Sequence, residues 1–391
     1  MFSESLKIAA RKNILIISIC FSPIVGGVET HLDDLVGYLT ENGYKGCVIT
    51  YGSAMAKTRG IYAEKRGGLG IRRIPWFNPA LFHRLEQYPL LEFLYMTPPL
   101  LLYSSFFMLG HHGDIDIIHA HGLNAAFVTR ALAKVFGKRT VVSIHAIYDL
   151  PKRHMLARLM RVTLSSFDVI LTLAVRSKRE LIKIGLDSKR IKVFTYWVDQ
   201  TVFRPMNKVE CKRKLGLEGK FMVLFVGRLL EIKGVKVLVE VANRLAEMAG
   251  IVFVFVGVGL LANEVKVASE HFGNVLYVGK VENKELSRYY NAADVVVVPS
   301  IYEEGFGRVI VEALSCGVPV VASNKGGIPE ALGPCVGILI EPAVDEIQLT
   351  IERLYEHPEE LANLRRSCRV YAEKRFSENN ARTIEESYYA A

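Results

Sequence analysis

The chain has 391 residues, of which 50% are hydrophobic and 23% are charged, and its formal net charge is +9. This length exceeds what one compact core usually supports, so two domains are expected, and the composition excludes a disordered chain. Six scattered cysteines without Cys-x-x-Cys spacing exclude a disulfide framework and favour a reducing compartment. The first apolar run leads into a Pro/Gly loop instead of a cleavage site, so no signal peptide is expected.

The positive charge belongs to the first half of the chain. Residues 1–203 carry 26 Lys and Arg against 15 Asp and Glu, a net of +11, and residues 204–391 carry 23 against 25, a net of −2. A basic half indicates an anionic partner. Because nothing resembles a nucleic-acid-binding module, a membrane surface is predicted instead.

The first half predicts alternating strands and helices. The first strand covers residues 13–19 and is followed by a loop containing Gly26 and Gly27 and by a helix over residues 28–39. Glycines in such a loop let backbone amides approach a phosphate, although an ordinary tight turn has the same sequence. Further strands are predicted at residues 47–51, 70–74, 116–120, 140–144, 168–173 and 191–194, with a basic helix over residues 176–184.

Residues 76–109 are apolar and aromatic and are nearly long enough to span a bilayer. Glu92 and the adjacent Pro98 and Pro99 argue against a membrane span. Two interpretations stay open, a pair of core helices and a segment that contacts the membrane surface.

Two polar patterns flank the strand at residues 116–120. Asp114 and Asp116 form an Asp-x-Asp pattern of a kind that can hold a metal ion, but they open the strand, whereas ligands of open parallel sheets bind beyond the carboxyl ends. No metal site is therefore predicted. His119 and His121 lie on one side of the strand near its carboxyl end. Zinc would need a third ligand with suitable spacing, so polar site residues are the better interpretation.

The second half repeats the alternation, with strands predicted at residues 221–226, 251–256, 275–278, 295–298 and 318–322. Arg228 follows the first of these strands and Lys233 precedes the next helix. Two cations aimed at one crevice suit a diphosphate, although solvated loop charges would look the same. A Gly-x-Gly pattern at Gly257 and Gly259 leaves open a dinucleotide-binding oxidoreductase, but no acidic residue convincingly ends the following strand.

Residues 299–316 are the most informative segment. Pro299 ends an apolar strand, a loop with Glu304, Gly305, Phe306 and Gly307 follows, and a helix is predicted from Arg308 to residue 316. The free amides and dipole at a helix N-terminus suit a phosphate. Glu304, just outside the helix, and Glu312, one turn inside it, could hold hydroxyl groups on either side of a diphosphate. A Glu-x7-Glu pattern alone is weak evidence for such a site. Its position after an apolar strand and beside a Gly-x-Gly loop makes the interpretation stronger.

Together these motifs resemble those of retaining glycosyltransferase family 4, which has the GT-B fold. The resemblance spans residues 13–390 and rests on Gly26-Gly27-Val28-Glu29, on the segment from Gly227 to Gly234, and on residues 299–330. It departs from the family at Thr195-Tyr196-Trp197, where members usually have Pro-Asn-Gly. It implies an α/β protein with two doubly wound, Rossmann-like domains facing a cleft. Residues 1–203 would bind the acceptor, residues 204–375 the nucleotide sugar, and residues 376–391 would cross back to the first domain.

The resemblance also implies the chemistry. A hexose would pass, with retention, from a UDP- or GDP-linked sugar to an acceptor hydroxyl, without a metal or other cofactor. The implied catalytic residues are His121 near the reacting carbon, Arg228 and Lys233 at the leaving diphosphate, and Glu304 at a sugar hydroxyl. The implied donor-binding residues are Gly26, Gly27, Gly305, Phe306, Gly307 and Glu312, with the Gly27 amide on the diphosphate and Glu312 on the ribose.

Of the parts of this reaction, the acceptor is the one that the sequence determines least. Residues 21–44 and the basic first half are similar to enzymes that add N-acetylglucosamine to phosphatidylinositol. A lipid or glycan acceptor, an anionic membrane surface and a cytoplasmic, peripheral location on the inner face of the membrane follow as expectations, with no nucleic-acid partner. An oxidoreductase and a non-catalytic, nucleotide-sugar-binding partner of a membrane complex stay as alternatives. The intact Arg228, Lys233, Glu304 and Glu312 argue against the second.

Overall fold

A computed structural model of the protein describes residues 11–22, 26–52, 62–75, 88–148 and 154–390. Two sheets dominate it, and the fold is the predicted pair of Rossmann-like domains. The first sheet contains β1 (Asn13–Ser18), β2 (Lys45–Tyr51), β3 (Ala63–Arg66), β4 (Leu69–Ile74), β5 (Ile117–His121), β6 (Arg139–Ile144), β7 (Val169–Thr172) and β8 (Ile191–Val193). The second contains β9 (Phe221–Val226), β10 (Ile251–Val256), β11 (Val275–Gly279), β12 (Val295–Val298), β13 (Val320–Ser323) and β14 (Gly337–Ile340).

The strand orders are those of doubly wound sheets. The first sheet runs β3-β4-β2-β1-β5-β6-β7-β8 and is parallel except for β3, which pairs with β4 in a hairpin that the sequence did not predict. The second runs β11-β10-β9-β12-β13-β14, and all its strands are parallel. Both orders reverse next to the first strand of the domain, so each sheet has a crevice at its carboxyl edge.

Helices cover both faces of each sheet. In the first domain they are α1 (Gly27–Glu41), α2 (Pro89–His111), α3 (Leu123–Phe136), α4 (Met155–Leu164) and α5 (Val175–Lys183). In the second they are α6 (Lys208–Lys214), α7 (Val235–Arg244), α8 (Ala262–His271), α9 (Asn283–Ala292), α10 (Arg308–Ser315), α11 (Ile328–Ala331), α12 (Val344–Glu356) and α13 (Pro358–Arg375).

The hydrophobic core is continuous between the domains. Ile14 and Ile16 of β1 belong to a core that also contains Met222 and Leu224 of β9, whereas the alternate residues of β1 face a separate core on the other side of the sheet. This follows from the two-residue period of a strand that is buried on both faces. The shared core fixes the carboxyl edges of the two sheets beside one another.

The last helix, α14 (Ala381–Ser387), lies against residues of the first domain. The Glu385 carboxylate accepts hydrogen bonds from the hydroxyls of Tyr38 (2.6 Å) and Tyr44 (2.7 Å), and it pairs with Arg11 at 3.1 Å. The Tyr388 hydroxyl lies 2.9 Å from Nδ1 of His119. The end of the chain thereby supplies polar partners to the start of it.

Helix α2 is one continuous helix of 23 residues with Pro98 and Pro99 inside it. Residues 76–87 of the apolar segment lie outside the described residues, so the pair of core helices stays a prediction. Met96, Leu100 and Met108 are buried against the first domain, and this packing holds the helix together across the prolines. Residues 90–111 have the length and mean hydropathy, 1.3, of a membrane-crossing helix, and 28% of their most apolar window is buried. Length and composition of this kind also occur in core helices.

The outward face of α2 is apolar as well. Its most exposed apolar side chains are 49% to 74% exposed and recur at helical spacing, and they are Leu90, Leu91, Leu94, Leu102, Phe106 and Leu109. A soluble helix normally turns charged residues to solvent. Packing within the protein therefore does not account for the apolar side chains on this face.

Candidate active site

The predicted site residues gather where the carboxyl edges of the two sheets meet. In the first domain they follow β1 and β5, and in the second they follow β9 and β12. Strands β9 and β12 are neighbours in the sheet, although about seventy residues separate them in sequence. The sheet order thus brings the loop of Arg228 and Lys233 beside the loop of Glu304.

Lys233 and Glu304 form an ion pair. Nζ of Lys233 donates to Oε1 of Glu304 at 2.6 Å and to the Tyr302 hydroxyl at 3.0 Å, and the Ser300 hydroxyl donates to the other carboxylate oxygen at 2.5 Å. Burial alone would lower the pKa of Lys233, but the Glu304 carboxylate and Tyr302 raise it above its usual range. The lysine therefore stays cationic, as a phosphate ligand must.

Arg228 lies next to this pair. Burial and the Glu304 charge raise the pKa of the Tyr302 hydroxyl, whereas Lys233 and Arg228 act to lower it. Both cations therefore lie within electrostatic reach of one phenol ring. The structure brings together three of the four residues to which the sequence assigned catalytic roles.

Glu312 lies one turn inside α10 and is buried. Its Oε1 accepts from Nε of Arg308 at 2.9 Å, and its Oε2 accepts from the Tyr290 hydroxyl at 2.7 Å. Both oxygens are therefore already engaged, which the sequence did not indicate. Each carboxylate oxygen has a second lone pair, so two further hydroxyl donors can still bind.

Arg308 connects the two domains, a role that the sequence analysis missed. Its Nη1 donates to Oδ2 of Asp34 on α1 at 2.7 Å and to the Trp197 carbonyl at 3.3 Å. Burial raises the pKa of Asp34 to about 6, and the Arg308 charge only partly offsets this. The sequence signal was weak, an arginine opening an apolar helix and an aspartate inside an amphipathic one.

The glycine loops place two helix N-termini opposite each other. Gly27 is the first residue of α1, Gly26 before it is extended, and a Cβ on Gly27 would lie 3.8 Å from Cβ of Arg308, the first residue of α10. Gly307 precedes α10 with φ 87°, a left-handed conformation that favours glycine. The N-terminal ends of two helices, one from each domain, thus lie close together, and such ends suit an anion.

Gly305 and Phe306 fix the Glu304 loop against the first domain. A Cβ on Gly305 would collide with the carbonyl oxygen of His145, so only glycine fits there. The Phe306 ring is 2% exposed and lies edge-on to Tyr196, with the ring centroids 6.0 Å apart. Phe306 thus packs at the domain junction, and its contacts are with protein.

A second contact crosses the cleft. The Glu330 carboxylate accepts hydrogen bonds from the amides of Val175 (2.7 Å) and Arg176 (2.8 Å), which open α5. Arg176 also pairs with Glu303 at 2.7 Å. A carboxylate at a helix N-terminus satisfies free amides and interacts well with the dipole. This contact holds the two domains close together.

Histidines line the first-domain wall of the site. Nδ1 of His121 lies 3.0 Å from Nε2 of His145, and the His31 ring lies beside both. Burial lowers the pKa of His121 well below its usual range and that of His145 to about 3, so these rings are neutral. The sequence pattern indicated His121 as a site residue and gave no such indication for His145.

Asp114 and Asp116 lie at the amino edge of the first sheet, away from the site, as expected. Asp116 accepts a hydrogen bond from the Asn13 amide at 2.8 Å, which is a structural role. Within the described ranges, no group of three or more His, Cys, Asp or Glu side chains is arranged to hold a metal ion.

Comparison with known proteins follows the same division of the chain. Residues 25–201 match the family model "Glycosyltransferase Family 4", and residues 207–375 match "Glycosyl transferases group 1". The architecture and the site define a glycosyltransferase of the GT-B class. The chain belongs to the family 4, group 1 glycosyltransferases, which confirms the resemblance drawn from its motifs.

Individual relatives agree with this family. The chain is 27% identical over 357 residues to a human phosphatidylinositol N-acetylglucosaminyltransferase subunit, covering 87% of this chain and 68% of the relative. It is 29% identical over 304 residues to D-inositol 3-phosphate glycosyltransferase of Arthrobacter sp., covering 72% of each.

Solved structures share the fold. Sucrose-phosphate synthase from Thermosynechococcus elongatus aligns with a TM-score of 0.81 at 20% identity, covering 97% of this chain and 98% of that one. Anabaena HepE in complex with UDP-glucose aligns with a TM-score of 0.77 at 22% identity, covering 97% and 100%.

Proposed function

We propose that the protein is a metal-independent, retaining hexosyltransferase that uses a UDP- or GDP-linked sugar. The observation that carries the proposal is the Lys233–Glu304 pair, which lies in the same cleft as the facing N-termini of α1 and α10. Lys233 and the two helix N-termini suit phosphate oxygens, and the Glu304 carboxylate suits a sugar hydroxyl. The HepE complexes contain UDP and UDP-glucose, which supports a UDP donor.

The proposed roles follow from charge. Negative charge grows on the departing diphosphate and is stabilised by Arg228, Lys233, the Gly27 amide and the α10 N-terminus. Bound phosphate oxygens replace Glu304 as partners of Lys233, and Glu304 then accepts a sugar hydroxyl. Glu312 holds the ribose through its remaining lone pairs, and His121 contacts the sugar near the reacting carbon. Gly26, Gly305, Phe306 and Gly307 shape the donor pocket.

No protein nucleophile is needed in this scheme. The bond from the anomeric carbon to the diphosphate breaks while the acceptor oxygen approaches the same face. The leaving phosphate oxygen takes the acceptor proton. Asp114 and Asp116 lie outside the cleft, which supports a mechanism without a metal bridge.

The donor and the absence of a metal can be tested together. A screen of nucleotide sugars by thermal shift should find a stabilising UDP- or GDP-hexose, and NMR of the product should show a retained anomeric configuration. Turnover should persist in EDTA, because fixed cations and amides neutralise the diphosphate. An absence of any stabilising nucleotide sugar contradicts the function, and a loss of turnover in EDTA that Mg²⁺ or Mn²⁺ restores contradicts only metal independence.

The acceptor is proposed to be lipid-linked and the protein to bind the inner face of an anionic membrane from the cytoplasm. Helices α2, α3 and α4 pack side by side on one face of the first sheet and share one core. Together they carry Arg130, Lys134, Arg158 and Arg161 but only one carboxylate, Glu92.

The same three helices also carry exposed apolar side chains. Phe106 on α2 is 74% exposed, Val135 on α3 is 74% exposed and Met155 on α4 is 69% exposed. Apolar side chains can enter the acyl boundary while Lys and Arg meet anionic headgroups. Trp76 and Phe77, which begin the apolar segment of residues 76–109, lie outside the described residues.

We expect the protein to co-sediment with anionic liposomes and to dissociate as salt rises, since each basic contact contributes about 1 kcal/mol that salt screens. Replacing both Leu102 and Phe106 with Gln should weaken binding by roughly tenfold or more, because each buried apolar side chain contributes about 1.5–3 kcal/mol. Leu349→Gln is the matched control, since Leu349 is 65% exposed on α12 of the other domain. A protein that stays in the supernatant with anionic and neutral vesicles at low salt contradicts membrane binding and favours a soluble acceptor.

A further inference from the structure

The chain departs from its family at Thr195-Tyr196-Trp197, and the structure gives this departure a consequence. Tyr196 and Trp197 are 4% and 3% exposed, inside the wall of histidines. The Tyr196 hydroxyl lies 3.0 Å from Nδ1 of His145, and the Tyr196 ring packs on His31 with centroids 4.7 Å apart. The asparagine usual at this position in the family has a shorter side chain than tyrosine.

Tyr196 begins a chain of hydrogen bonds that ends at His121. The second nitrogen of His145, Nε2, lies 3.0 Å from Nδ1 of His121. The remaining nitrogen, Nε2 of His121, is buried and has no hydrogen-bond partner among the described residues. Because the rings are neutral, each carries a single N–H, so the direction of one bond determines the next.

The tyrosine sets that direction. Its hydroxyl has one hydrogen, and His145 is its polar partner in this site. If His145 donated instead, the phenol hydrogen would be left buried and unpaired, which is costly. The hydroxyl therefore donates to Nδ1 of His145, and Nε2–H of His145 donates to Nδ1 of His121. His121 must then carry its own hydrogen on Nε2.

We infer that Tyr196 is a positioning residue which, through His145, fixes His121 as a hydrogen-bond donor at Nε2 toward an oxygen of the bound sugar. The identity of the ligand rests on the proposed function, whereas the tautomers do not. The same wall contains His31, both of whose nitrogens are buried without partners among the described residues, and this ring lies against Tyr196. Loss of the tyrosine hydroxyl leaves the His145–His121 pair free to adopt either direction.

The test is a ¹⁵N NMR measurement of histidine tautomers on the ligand-free full chain, alongside turnover of the nucleotide sugar. The wild-type spectrum should show His121 and His145 as Nε2–H tautomers. Tyr196→Phe should give mixed tautomers at both residues and lower kcat by about three- to tenfold, the worth of one hydrogen bond. Tyr388→Phe is the control, because it removes a buried hydroxyl from Nδ1 of His119 and leaves the His121 tautomer unchanged.

Two results would overturn the inference. One is an Nδ1–H tautomer at His121 in the wild type, which needs no variant to observe. The other is a folded Tyr196→Phe protein with unchanged tautomers and unchanged kcat. If the tautomers behave as expected but no nucleotide sugar is turned over, the proposed function fails and the hydrogen-bond direction stands.

Discussion

Lys233→Ala should lower the turnover rate by about a hundredfold or more, comparable to the loss of one oxyanion donor. Lys233 is held at the site as a cation, and the growing diphosphate charge has few other partners of that kind. Arg228→Ala should have an effect of similar size, because the two cations lie within reach of one phenol ring. The measurement is steady-state turnover of the nucleotide sugar identified by thermal shift.

Lys236→Ala provides the control. Lys236 lies three residues further on, is 50% exposed and pairs with the exposed Glu231 at 3.4 Å. The Lys236→Ala change removes the same charge from the same segment. Turnover should stay within about twofold of the wild-type value, since exposed ion pairs contribute little. Near-normal turnover in a folded Lys233→Ala protein would show that this lysine does not bind the leaving group.

Arg308→Met should lower the free energy of unfolding by roughly 3–5 kcal/mol, because it leaves the buried Glu312 carboxylate and the partly buried Asp34 carboxylate without their cation. The measurement is denaturant unfolding of the full chain. Arg244→Met is the control, since Arg244 is 43% exposed and its two ion pairs face solvent. That change should cost about 1 kcal/mol or less.

The pH dependence of the stability lost in Arg308→Met distinguishes a loss of charge pairing from a loss of packing. The pKa of Asp34 is about 6 in the folded protein, above its unfolded value of 3.8. Folding therefore takes up a proton at pH values between these two pKa values. As the pH rises through 6, Asp34 becomes ionised in the folded protein, and its ionised form opposes folding. Without Arg308, the loss should be smaller at pH 5, where Asp34 is largely protonated, than at pH 8. A loss independent of pH would assign the effect to packing. Adding Asp34→Asn and Glu312→Gln to Arg308→Met should recover most of the stability.

Much of the fold was predictable because most strands are uninterrupted apolar runs. The predicted strands at Phe221–Val226, Ile251–Val256 and Val295–Val298 coincide with the observed ones, since each is a run of β-branched, aromatic and other apolar residues that Gly or Pro follows at once. The hairpin strand Ala63–Arg66 was missed because Glu-Lys-Arg on an edge strand has no apolar alternation.

The site was predictable residue by residue but not as a set of contacts. Motif spacing placed Lys233 and Glu304 on loops after their strands, yet their pairing depends on β9 and β12 being neighbours. The Arg308–Asp34 pair and the Glu330 contact with α5 depend on how two domains meet, which no local pattern encodes. The role of Tyr196 was likewise not predictable, since its histidine partners come from α1 and from the loop after β6.

The return of α14 to the first domain affects how the protein is made. The Tyr44 hydroxyl is 341 residues ahead of its partner Glu385, which at 5–20 residues per second is roughly 20–70 seconds of synthesis. During that interval the first domain exposes the surface that Tyr388 later covers, and its tyrosines are hydrated. A ribosome that stops before residue 385 releases a first domain with an unfinished face. That interval is when a chaperone has a site to bind.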